Sequence, residues 1–250
     1  MKVGTKTALV PRLPRHVLAA ACGVALICAC LLGGCATSVI AERSTEGAAS
    51  EQAAHEAAAV VADAVPLELA ESGWWAKDSY VHYAVEVRNP NEDAYAEDAR
   101  VHVVLYDEAG NAVGESEETI ALIGPGETVG FAATCGDGWA PARVEIALVD
   151  GSATFRDAAE FEEPFTVERF AEEDKLYYRY EVTGQITNNT DDYVSTVRLS
   201  VIMRDESGII VAGYPGEAYR IKSGQTKDFL LTMNTCPDHA SVEVWAQPVD

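Results

Sequence analysis

From Pro66 onward the chain is a succession of short runs in which apolar and polar side chains alternate. Tyr83-Ala84-Val85-Glu86-Val87-Arg88, Val101-His102-Val103 and Val144-Glu145-Ile146 all have period two, the spacing of strands with one face buried and the other exposed. Each run ends in turn chemistry: Asn89-Pro90-Asn91, Asp107-Glu108-Ala109-Gly110-Asn111 and Gly124-Pro125-Gly126. Short strands separated by such turns predict an all-β chain built as sandwiches.

The same plan recurs at an offset of 98 residues. Ala99-Arg100-Val101-His102-Val103-Val104-Leu105-Tyr106-Asp107-Glu108-Ala109-Gly110 lies over Val197-Arg198-Leu199-Ser200-Val201-Ile202-Met203-Arg204-Asp205-Glu206-Ser207-Gly208, and Gly126, Thr128 and Phe131 lie over Gly224, Thr226 and Phe229. The shared turn residues are Asp107, Gly110 and Gly126 in the first copy and Asp205, Gly208 and Gly224 in the second. A period this long is that of separate domains rather than of a solenoid. Two modules are therefore expected, at 66–150 and 164–250, joined by an acidic linker at 151–163. On the alternation, Phe131, Ala133 and Cys135 mark an inward face, as do Phe229, Leu231 and Met233. Cys135 aligns with Met233 and reads as packing, and Cys135 and Cys236 are expected as two separate thiols.

Both modules resemble the FxLYD family of bacterial extracytoplasmic domains. The resemblance rests on an asparagine after an early strand (Asn89; Asn188), on the strand and turn Val-Val-Leu-Tyr-Asp-Glu-Ala-Gly at 103–110 with its copy at 201–208, and on a Pro-Gly or Ser-Gly turn before a strand with phenylalanine (Phe131; Phe229). The second copy carries Met203 and Arg204 where the first has Leu105 and Tyr106. What the resemblance implies is an immunoglobulin-like β-sandwich on a secreted or lipid-anchored protein, with no catalytic residue to carry over.

Residues 1–34 follow the plan of a secretory signal. Lys2, Lys6, Arg12 and Arg15 precede an uncharged run from Val17 to Leu32, which is short of the ~20 residues a spanning helix needs. The ending Leu32-Gly33-Gly34-Cys35 resembles the bacterial lipobox, which implies cleavage before Cys35 and acylation there. More than one acyl chain makes a stable anchor, at about 0.8 kcal/mol per buried methylene. Residues 35–65 form an Ala/Glu-rich linker with little to bury. A flexible chain of that length spans about 30 Å.

The chain carries 40 acidic and 18 basic residues, a formal net charge of −22. Four of those basic residues lie in the signal, so the mature protein is still more acidic. Such a surface repels phosphate backbones, which argues against a nucleic-acid partner. The expected partners are the membrane, through the N-terminal lipid, and a protein of the envelope.

Candidate chemistry is sparse. Beyond the linker the histidines are His82, His102 and His239, none at ligand spacing. His82 and His102 are expected at outward positions of neighbouring strands. Gly124-Pro125-Gly126-Glu127-Thr128-Val129-Gly130 lacks the lysine of a phosphate loop and precedes a strand, so it is a turn. Acidic groups gather at Glu115, Glu117 and Glu118, at Asp157, Glu160, Glu162 and Glu163, at Glu172, Glu173 and Asp174, and at Asp191 and Asp192, without the spacing of a calcium loop. Aromatic candidates for recognition are Trp74, Trp75, Trp139, Tyr177, Tyr178 and Tyr180. An adjacent pair on a strand points to opposite faces, so at most one of Trp74 and Trp75 is expected to be free. The reading is an all-β protein with two tandem immunoglobulin/fibronectin-like sandwiches, no catalytic residue, no metal and no cofactor, anchored on the extracytoplasmic face of the cell membrane.

Overall fold

The computed structural model describes residues 60–77, 80–136, 140–175 and 179–249. The lipobox residues Leu32, Gly33 and Gly34, the acylation site Cys35 and most of the 35–65 linker lie outside the described residues. Among those described, no helix is long and apolar enough to cross a membrane.

The described chain is almost wholly antiparallel β. The strands are β1 (Glu68–Lys77), β2 (Tyr80–Arg88), β3 (Ala94–Tyr106), β4 (Ala112–Ile123), β5 (Thr128–Cys135), β6 (Arg143–Leu148), β7 (Thr154–Asp157), β8 (Phe165–Lys175), β9 (Arg179–Asn188), β10 (Val194–Arg204), β11 (Ile210–Ile221), β12 (Thr226–Met233) and β13 (Ser241–Pro248). They form four sheets, in the orders β1-β2-β5, β4-β3-β6, β11-β10-β13 and β12-β9-β8. The first two enclose one core and the last two enclose another. In the first, Val81, Tyr83, Val85 and Val87 of β2 and Phe131, Ala133 and Cys135 of β5 meet Val101, Val103 and Leu105 of β3. In the second, Val182 and Ile186 of β9 and Phe229 and Met233 of β12 meet Val197, Leu199, Val201 and Met203 of β10. Every second residue of these strands is buried because successive side chains leave a strand on opposite faces.

The repeat is visible in the turns. Asp107 accepts from the Asn111 N–H at 2.8 Å, and Asp205 accepts from those of Ser207 at 2.8 Å and Ile209 at 3.0 Å. Gly110 and Gly208 close these turns at φ of 83° and 81°, and Gly126 and Gly224 close theirs at 67° and 65°, a region open to glycine because it lacks Cβ. Asn89 is fully buried. Its amide donates to the Ala94 and Gly124 carbonyls at 2.7 and 3.0 Å and accepts from the Asn91 backbone at 3.1 Å. Asn188 repeats this with Asp192, Ile221 and Thr190.

Three features differ from the expected organisation. The stretch 151–163 is not only a linker: its residues 154–157 form β7, which pairs with Ala94–Glu97 at the start of β3. The long β3 thus serves two partners in succession, β7 and then β6 from Val101 onward, with Asp98 at φ 58° between the two ladders. The end of the 35–65 linker is also tied down, since the Val61 N–H reaches Phe155 O at 3.0 Å and Val65 exchanges two 2.8 Å hydrogen bonds with the Asn91 side chain. Finally, the described residues from Val60 onward belong to one compact unit. The outer face of β1-β2-β5 packs on the outer face of β11-β10-β13 around Ala84, Ala132, Ile202 and Ile210, with Trp245 alongside.

Candidate functional site: the junction between the modules

Close approach of the two inner sheets depends on small side chains. A Cβ at Gly213 of β11 would stand 2.4 Å from the Tyr83 carbonyl oxygen, and one at Gly130 of β5 would stand 2.4 Å from the Trp245 indole nitrogen. The aligned positions of the second module show what the first avoids. Val85 pairs with Phe131 in the first module as Gly184 pairs with Phe229 in the second, so Ala84, Gly130 and Ala132 correspond to Thr183, Asp228 and Leu230. Those three are exposed. This contrast was available in the sequence, as Ala84, Gly130 and Ala132 at outward positions of β2 and β5.

Side chains of the second module also satisfy free strand edges of the first, which would otherwise invite pairing with other chains. Ser200 accepts from the Ala132 N–H at 3.0 Å, and Arg198 donates to the Ala132 carbonyl at 3.0 Å. The Gln247 amide takes both the N–H and the carbonyl of Leu122, each at 2.9 Å. Arg198 lies over the Phe131 ring at 4.2 Å and pairs with Glu118 at 3.1 Å. Arg204, only 12% exposed, binds three carboxylates: Glu71 at 2.7 Å and Glu86 from the first module, and Glu243 at 2.8 Å from its own. The departure from Tyr106 to Arg204 in the repeat therefore builds the junction. Burial draws the Glu71 carboxyl upward, but the Ile210 N–H and Arg204 outweigh it and hold the group below the ordinary carboxylate value.

The expectation that His82 and His102 lie on neighbouring strands is corrected here. His82 and His102 do not meet, because β2 and β3 belong to different sheets. His82 is not solvent-facing either: it stacks on Tyr214 of the second module with ring centroids 4.3 Å apart, and burial lowers its affinity for a proton. Neither tryptophan of the pair is free, since Trp74 packs on the first core and Trp75 on the second. Trp139, Tyr177 and Tyr178 lie outside the described residues.

Beside Gln247 the junction opens into a cleft of about 470 Å³, lined by the β4–β5 turn, the start of β8 and the end of β13. Phe161, Phe165 and Trp245 supply apolar walls, Glu127 and Glu163 supply two carboxylates, and no Lys, Arg or His lines it. Partial burial and the charge of Glu127 both raise the Glu163 carboxyl above its ordinary value.

Other hollows are present among the described residues. One of about 400 Å³ lies between residues 60–67 and 148–155. Another, about 540 Å³, lies beside Cys236 and His239. There the Tyr180 hydroxyl, bonded to Glu172, meets His239 Nε2 at 2.7 Å, while His239 Nδ1 faces the Pro237 carbonyl at 2.9 Å. The carbonyl only accepts, so Nδ1 carries a proton. Cys135 and Cys236 are not bridged. Burial pushes the Cys135 thiol up to about 11, and burial with nearby carboxylates raises that of Cys236. Both shifts oppose thiolate nucleophiles. The acidic groups are partly structural: Glu117 pairs with Arg100 and Asp157 caps a turn at Ala159. Among the described residues, no group of three His, Cys, Asp or Glu side chains is arranged to hold a metal ion.

No protein-family model and no curated protein matches the chain. Among solved structures it is similar to a beta-glucuronidase from glycoside hydrolase family 2, at 12% identity and a TM-score of 0.22. That match covers 71% of this chain and 21% of the other, so the chain spans about a fifth of that enzyme's length. A second match is the N-terminal CBM22-1-CBM22-2 tandem domain from Paenibacillus barcinonensis Xyn10C, at 9% identity and a TM-score of 0.17, covering 76% and 92% of the two chains.

Proposed function

We infer that this is a non-enzymatic, lipid-anchored cell-envelope protein whose two immunoglobulin-like, FxLYD-like modules act as one element for binding or assembly on the extracytoplasmic face. The observation that carries this reading is the junction: two sheets locked face to face, with an open cleft to which both modules contribute. Clefts at domain junctions are common ligand sites, because walls from two bodies converge there. The lipobox-like Leu32-Gly33-Gly34-Cys35 and the acidic surface support an envelope setting.

The alternative is a structural spacer or accessory subunit of a membrane transport or enzyme complex, and the face-to-face stacking of the sheets favours it. Photo-crosslinking from the cleft rim in intact cells separates the two. The binding reading expects a partner captured from the cleft and lost when the cleft is filled by Ala246→Trp. Capture that is unchanged by this substitution supports the spacer. Mass spectrometry of the purified protein tests the anchor, which fails if Cys35 is unmodified within an intact leader.

A further inference from the structure

The β4–β5 turn of the first module and its counterpart between β11 and β12 share a backbone but differ at one side chain. In the second module Gln225 folds back and its amide oxygen accepts the Lys222 N–H at 3.0 Å, a bond that stays within the turn. In the first, Glu127 takes that position by the 98-residue offset. The Glu127 carboxylate also folds back, against Gly124. A Cβ on Gly124 would stand 2.3 Å from Glu127 Oε2 and 2.9 Å from the Phe161 ring, so the glycine provides the room the carboxylate occupies. There it faces the cleft instead of a partner within the turn. Glu163 stands on the opposite chain segment at the same cleft.

Two carboxylates are thus brought to one cavity beside aromatic walls, with no basic residue lining it. Like charges so placed repel, and the cost is relieved by a cation taken up between them. A bare ion would leave the half-buried apolar walls of Phe161 and Trp245 in contact with water, whereas an aliphatic stem covers them. Aromatic faces also attract an organic cation.

We propose that the cleft between the modules binds an alkyl ammonium group of the kind a lysine side chain carries, its charge held by Glu127 and Glu163 and its stem laid along Phe161 and Trp245. This rests on the binding reading above and assigns the chemistry of its ligand. The acidic balance of the chain, 40 acids against 18 bases, raises the local concentration of such groups.

The test is saturation-transfer NMR of the detergent-solubilised full-length protein with Nα-acetyl-lysine methylamide, with its uncharged norleucine analogue, and with spermidine. Saturable binding of the lysine probe but not of the norleucine analogue is expected. Glu127→Gln and Glu163→Gln should each weaken it about tenfold, the size of one charged hydrogen bond, while Glu108→Gln on a distant turn leaves it unchanged. The stronger of the lysine probe and spermidine identifies a protein side chain or a free polyamine as the source. Equal binding by the Gln variants overturns the assignment, as does the lack of saturation by either cation at about 10 mM. Saturable binding of the norleucine analogue overturns the cation but leaves the cleft a binding site. The crosslinking with Ala246→Trp decides the binding reading separately.

Discussion

Gly213 of β11 lies directly against Ala84 of β2: a Cβ built on the glycine would stand 2.6 Å from that of the alanine. Two sheets from different modules touch there with almost nothing between their backbones. Gly213→Val should hold them apart and destabilise the protein by about 2 kcal/mol, the usual cost of overpacking. Denaturant unfolding followed by fluorescence checks this. The wild type is expected to unfold in one transition and the variant in two, as the modules lose their common face. A single unshifted transition in the variant would show that the junction contributes little.

Among the described residues, Arg204 is the cation that pairs with Glu86, which is itself only 17% exposed on its side chain. Arg204→Met should cost about 2 kcal/mol at neutral pH, because half-buried Glu71 and Glu86 are left without their guanidinium. The folded-state value of Glu71 is depressed. Its contribution is therefore complete above the ordinary carboxylate value and fades as pH falls through the depressed one. The gap between wild type and variant should narrow below about pH 4.5 in urea midpoints measured across pH.

His82 is expected to make the stability fall on mild acidification. Burial sets its folded value below the ordinary one, so the unfolded chain binds the proton more readily. Stability from this residue is present above about pH 6.5 and is lost as pH drops through the depressed folded value. His82→Gln should flatten the pH dependence of the unfolding midpoint between about pH 7.5 and 5; an identical slope in both proteins would contradict it.

Asn89→Asp keeps the shape of the side chain and removes its donor. The Ala94 and Gly124 carbonyls, at 2.7 and 3.0 Å from the amide nitrogen, would then face a carboxylate oxygen in a fully buried site. A loss of about 2 kcal/mol or more is expected in equilibrium unfolding. Asn188→Asp should behave alike in the second module, since its amide makes the same class of contacts.

The sequence was most legible where local chemistry decides structure. Period-two alternation marks β2, β5 and β10, and Asp107, Gly110, Asp205 and Gly208 mark the turns, because strand geometry and positive φ act within a few residues. The inward reading of Cys135 and Met233 follows from the same alternation. Less legible were the residues that serve a distant partner. His82 read as outward on its own strand, and outward meant solvent until the second module was placed against it. Residues 154–157 read as acidic linker because four residues carry too little pattern to reveal a strand without their partner on β3.

By itself the sequence determined the strands, their turns, the duplication and the two inward faces, since each follows from side chains close in the chain. Which outward face becomes buried was decided only by the tertiary structure. The contact of Gly213 with Ala84, the three carboxylates around Arg204, and the cleft between Glu127 and Glu163 all join positions far apart in sequence. The physical reason is that burial of a face depends on the shape and charge of the surface it meets, and that surface belongs to the other module.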